Sequence, residues 1–109
     1  MPIEPIMRDM KMESHQKSVK KYQDYKVFLN DYFRLKKELN NQWSLGAWAS
    51  YMGLQNTSTL SRVLNGERII GPKLFEKLVR YFEMNEEEIE HFKNLIKRSK
   101  IERIINSDL

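Results

Sequence analysis

Residues 44–66 read SLGAWASYMGLQNTSTLSRVLNG, two short helical patterns that meet at a Gly-Leu turn. Ser44 is placed to cap the first helix, Trp48, Ala49 and Met52 give it an apolar side, and Gly53 can take the positive φ that ends it. A second helix is expected from about Asn56 or Thr57. Its apolar residues Leu60, Val63 and Leu64 stand at i, i+3 and i+4, so Thr57, Ser58, Thr59, Ser61, Arg62 and Asn65 point away from the core. This is the pattern of a helix-turn-helix. Its outward face is small, hydroxyl-rich and carries one arginine.

The segments on either side supply the rest of a helical core. From about Lys20 to Leu39, Tyr22, Tyr25, Phe28, Leu29, Tyr32, Phe33 and Leu39 recur at three- and four-residue spacing, with Lys21, Lys26, Arg34, Lys36 and Lys37 between them as a solvated basic face. Asn40 and Asn41 can end that helix ahead of Trp43. After the Asn65-Gly66 stop and a short loop, Pro72 opens another helix at the position proline favours, with Leu74, Phe75, Leu78, Val79 and Phe82 as its apolar face. Asn85 can cap a last helix whose first turn holds Glu86, Glu87 and Glu88, where the helix dipole favours negative charge. Ile89, Phe92, Leu95 and Ile96 give it an apolar side. Ile101, Ile104, Ile105 and Leu109 extend that stripe, as a longer helix or as a surface for self-association. No alternating strand pattern and no internal repeat interrupts this series, and an all-α bundle of about five helices follows.

With 109 residues the chain holds one domain: a flexible leader over residues 1–19, a helix-turn-helix domain over 20–100 and a C-terminal extension over 101–109. The leader has two prolines, four of the six methionines and no helical period. A net charge of +4 suits a polyanionic partner. It is spread rather than concentrated: +3 over residues 1–43, +1 over 44–68, +1 over 69–83 and −1 over 84–109. The helix-turn-helix is thus polar without repelling phosphate, and further cations must come from its flanks.

Several chemistries find no residues to carry them. The absence of cysteine removes disulfides, thiolate zinc sites and a cysteine nucleophile. His15 and His91 form no H-x-x-x-H pair, so a metal site is not expected. Ser44, Ser58 and Ser61 lack a nucleophile-elbow context, and the glycines do not form a phosphate-binding loop. No enzyme, cofactor or small-molecule substrate is therefore expected. No apolar run approaches the ~20 residues of a membrane span, and residues 1–18 lack the apolar segment of a signal peptide, which points to the cytoplasm. Trp43 and Trp48 lie among core residues and are assigned to packing.

From Tyr25 to about Ser99 the order of these elements resembles a paralogous family of predicted bacterial transcriptional regulators, with an N-terminal helix-turn-helix region followed by a larger domain of unknown function. The residues that carry the likeness are YKVFLNDYFRLKKE, WSLGAWASYMGLQNTSTLSRVLNGER, GPKLFEKLVRYFEM and NEEEIEHFKNLIK. The second and third of these also resemble the five-helix repressor-like domains, in which A-x-x-x-G-L marks the first helix and turn, here Ala49, Gly53 and Leu54. Leu60 follows Gly53 by seven residues where six is usual in that group, so the turn is one residue longer. The chain stops near the end of the helical region, which is expected of a short family member or of a fragment.

The function expected on these grounds is binding of double-stranded DNA as a transcriptional regulator, with the second helix entering the major groove. Thr57, Ser58, Thr59, Ser61, Arg62 and Asn65 are the base-contact candidates, Arg62 foremost because a bidentate arginine reads guanine. Arg68 and Lys73 are the phosphate-contact candidates. A homodimer through the terminal isoleucines is the accompanying expectation. The alternative is a protein-interaction adaptor that uses the same fold without DNA.

Overall fold

The computed structural model describes residues 18–107, and among these residues there are five α-helices and one 3-10 turn. Most of the leader expected over residues 1–19, with His15, lies outside the described residues, as does Leu109. The helices are α1 (Tyr25–Leu39), α2 (Leu45–Tyr51), α3 (Ser58–Leu64), α4 (Pro72–Phe82) and α5 (Glu86–Ser107), and no described residue is in a strand. The all-α class and the helix count agree with the periodicity of the sequence.

The helix ends follow local side-chain chemistry. Ser44 Oγ accepts from the Ala47 N–H at 3.1 Å and starts α2. At the other end of α2, Gly53 takes φ +75°, and the Gly53 and Leu54 N–H groups donate to the Ser50 and Ala49 carbonyls. This paired closure repeats after α3, where the Gly66 and Glu67 N–H groups donate to Val63 and Arg62. Asn85 and Glu88 cap α5 reciprocally: each side chain accepts from the other's backbone N–H, at 2.8 and 3.0 Å.

The first helix differs from the expected span. Residues 19–21 form the 3-10 turn, and α1 starts only at Tyr25. The cause is Asp24, whose carboxylate accepts from the Lys26 N–H at 2.8 Å and opens a fresh helix there. The preceding stretch is instead held to α5: Ser18 Oγ donates to Glu88, Lys20 pairs with Glu87, and His91 Nε2 donates to the Tyr22 carbonyl.

The core is aromatic at its centre. Trp48 on α2 is fully buried, with Tyr32, Phe33, Trp43, Tyr81 and Phe82 around it at ring-centroid distances of 5.1 to 6.5 Å. The Tyr32 and Tyr81 hydroxyls bond each other across α1 and α4. The indole N–H groups of Trp43 and Trp48 are buried without a hydrogen-bond acceptor among the described residues, a cost borne by the packing around them. Lys36, expected on the solvated face of α1, is fully buried, with its ammonium 4.9 Å from the centroid of the Trp43 ring. It sits four residues after Tyr32 on the core stripe, and the indole face attracts its charge there. Leu60 and Val63 of α3 plug into the same core, which fixes the rotation of α3.

The first three turns of α5 contribute Phe92, Leu95 and Ile96 to the core, whereas Ile101, Ile104 and Ile105 are 50, 63 and 56% exposed. The longer helix is thus the form the terminal stripe takes. Among the described residues no helix is long and apolar enough to cross a membrane.

Candidate nucleic-acid interface

With Leu60 and Val63 turned inward and Leu64 half-buried beside them, the opposite side of α3 faces outward. Ser58, Arg62 and Asn65, at i, i+4 and i+7, form an exposed stripe. Thr57, Thr59 and Ser61 are half-buried at its edges, so none of the six base-contact candidates is in the core. Thr57 precedes α3 without a side-chain cap bond. The neighbouring Asn56 Oδ1 instead accepts from the Ser58 N–H at 2.9 Å. The Thr57 hydroxyl therefore has no capping duty.

The far end of α3 is held by α1 and α5. Asn30 Nδ2 donates to the Leu64 carbonyl at 3.1 Å, and Arg103 Nη2 donates to the Gly66 carbonyl at 2.8 Å. The Lys26 side chain lies over Gly66, so near that a Cβ there would stand 3.0 Å from its ammonium. Gly66 has φ +80° and no side chain, and both features are needed at this contact. Lys26, Arg68 and Arg103 line one recess of about 270 Å³, with Glu102 as its acidic member.

The phosphate-contact candidates therefore fall at opposite ends of α3. Arg68 is exposed in the loop beyond its C-terminus. Lys73 is exposed in the first turn of α4 and shares a second cleft with Thr59 and the turn between α2 and α3. Neither makes an ion pair with a described residue. Lys77 and Arg80 join Lys73 in that cleft, although neither was among the expected contacts. Their spacing from Lys73, four and seven residues, is legible in the sequence as one helix face. Lys26 and Arg103 left no such trace, since only packing brings α1 and α5 to Gly66. Among the described residues no cluster of histidine and carboxylate side chains is arranged to hold a metal.

A stretch of 67 residues, 62% of this chain, is 34% identical to an uncharacterized HTH-type transcriptional regulator, YvzC, of Bacillus subtilis (strain 168), and covers 86% of that protein. The chain belongs to the HTH-type transcriptional regulators. No family model matches this chain, and no solved structure matches it. In this chain α2, the turn and α3 form a helix-turn-helix, and the stripe on α3 is a surface that it leaves open.

Proposed function

We propose that this regulator binds double-stranded DNA in a sequence-specific way, with α3 in the major groove and residues 20–100 as the binding domain. The observation that carries the reading is the exposed stripe of Ser58, Arg62 and Asn65, set opposite the buried Leu60 and Val63 and bracketed by Arg68 and Lys73. The kinship with an HTH-type regulator supports it. In this reading Arg62 donates two hydrogen bonds to a guanine edge, worth about 1–3 kcal/mol of discrimination. Ser58, Ser61 and Asn65 contact neighbouring bases, and Thr57 and Thr59 reach base edges or phosphates beside them. Arg68 and Lys73 hold phosphates on either side and set the docking register. A regulator of bacterial DNA works in the cytoplasm. Pairing of two copies through Ile101, Ile104 and Ile105 would present two such helices to half-sites about one helical turn, ~34 Å, apart.

The test is binding of the full chain to a fluorescent duplex library across a salt series, with Arg62→Ala and Lys73→Ala in parallel. Affinity should fall steeply with salt, Arg62→Ala should relax sequence selectivity, and Lys73→Ala should weaken all duplexes alike and lower the salt slope by about 1. Absence of wild-type binding at low salt would leave the adaptor role as the better account. Sedimentation of the wild type and of Ile104→Glu over a concentration series checks the pairing of copies.

A further inference from the structure

A cleft of about 590 Å³ lies between the outward face of α4 and the turn that joins α2 to α3. That volume is within the ~300–1,000 Å³ range of small-ligand sites. Its donors are of one kind. Lys73, Lys77 and Arg80 project from α4 at i, i+4 and i+7, so their origins span about 10 Å at the 1.5 Å rise of a helix. Opposite them stand Gln55, Asn56 and Thr59, which offer amide and hydroxyl hydrogens. Asn56 already accepts the Ser58 N–H through Oδ1, which leaves its amide nitrogen as the free donor. Lys77 reaches across the cleft, since its ammonium would be 3.5 Å from a Cβ placed on Gly53 in the turn.

None of the three cations makes an ion pair with a described residue. Glu76 is the acidic residue in the lining, so two positive charges remain in excess. Three cations in a row without an ion pair among the described residues, faced by neutral donors and with Leu54 as the apolar member, do not suit an apolar ligand. They suit closely spaced oxyanions with several acceptor oxygens each, which is the chemistry of phosphate. We propose that this cleft is a phosphate-binding site, with Lys77 and Arg80 as ligand-contacting residues.

Two sources can supply the phosphates: the backbone of a bound duplex, or a free phosphorylated small molecule. The first rests on the function proposed above, while the second does not. Because Thr59 belongs both to the cleft and to α3, a free ligand there would lie against the proposed reading face and would change the affinity for DNA.

The experiment compares the full-length wild type with Lys77→Ala, Arg80→Ala and Glu76→Gln, and with Lys100→Ala as a cation outside the cleft. Inorganic pyrophosphate is titrated while amide resonances are followed, and a fluorescent duplex is titrated across a salt series. For a free-ligand site, pyrophosphate should shift the Gln55, Asn56 and Thr59 amides. Lys77→Ala and Arg80→Ala should each weaken it about fivefold or more, Glu76→Gln should tighten it, and Lys100→Ala should leave it unchanged. For a backbone site, the two cleft variants should weaken duplex binding and reduce its salt slope by about 1 each. The proposal is overturned if the cleft amides ignore pyrophosphate and both cleft variants bind duplex as the wild type does. An Arg62-dependent duplex affinity in that same outcome would leave the DNA function standing. Pyrophosphate binding with no duplex binding would instead retire the DNA function and keep the cleft.

Discussion

Replacing Gly66 by alanine adds one methyl group to a residue held at φ +80°, beside the stem of Lys26. The backbone part of the cost is the left-handed conformation, about 1–2 kcal/mol for a residue with a Cβ. Alanine also removes freedom from the unfolded chain, which returns about 0.4–1 kcal/mol, so roughly 1 kcal/mol of destabilisation remains. Gly53→Ala should show about that much alone, because its φ is +75° and its new Cβ would meet the Lys77 ammonium at an ordinary 3.5 Å. At Gly66 the Cβ would stand 3.0 Å from the Lys26 Nζ and 3.3 Å from its Cδ, so the lysine must give by a few tenths of an ångström, which strains its side-chain torsions. That displacement adds about 0.5–1 kcal/mol, from the range for a side chain forced off its preferred torsion. Urea denaturation followed by the fluorescence of the buried Trp43 and Trp48 measures both variants, and a Lys26→Ala background completes the cycle. Gly66→Ala should cost more than Gly53→Ala, and the excess should vanish when Lys26 is truncated. Equal costs in the wild-type background, or an excess that survives Lys26→Ala, would refute the reasoning.

Other perturbations separate local chemistry from packing. Ser44→Ala should cost about 1 kcal/mol in the same denaturation assay because it deletes a cap bond, whereas Thr57→Ala should leave stability nearly unchanged because its hydroxyl caps nothing. Leu60→Ala, at a fully buried position, should cost about 2–5 kcal/mol and lower the midpoint of a single cooperative melt rather than loosen α3 alone, as differential scanning calorimetry would show. The Lys20–Glu87 pair predicts a pH dependence. Its hydrogen bond and charge hold the Glu87 carboxyl below its usual 4.5 and the Lys20 amine above its usual 10.5. The contribution is therefore complete between 4.5 and 10.5, and is lost as pH falls through the lowered Glu87 value or rises through the raised Lys20 value. The stability difference between wild type and Glu87→Gln should be largest inside that window, close at both extremes and shrink at ~1 M salt, where exposed charges are screened.

Helix identity and helix ends were legible because they depend on neighbours in the chain. Ser44, Gly53, Pro72 and Asn85 act on backbone groups within about four residues, so their effects can be read in order along the sequence. The outward face of α3 was legible for the same reason, since burying Leu60 and Val63 leaves the other side to solvent. Asp24 shows the limit: a capping residue inside an aromatic period reads as part of the helix, yet its cap sets the helix start.

Contacts between distant residues were not legible. Lys36 reads as one more surface lysine until Trp43 is folded over it. Lys26 and Arg103 become neighbours of Gly66 only because α1 and α5 pack against the loop beyond α3. The cleft carrying Lys77 and Arg80 exists only once α4 is set beside the α2–α3 turn. The sequence by itself determined the helices, their caps and which side of α3 is open, because periodicity and capping are short-range. Tertiary structure alone decided which charges surround that open side, because apolar burial joins segments far apart in the chain and carries their polar residues with them.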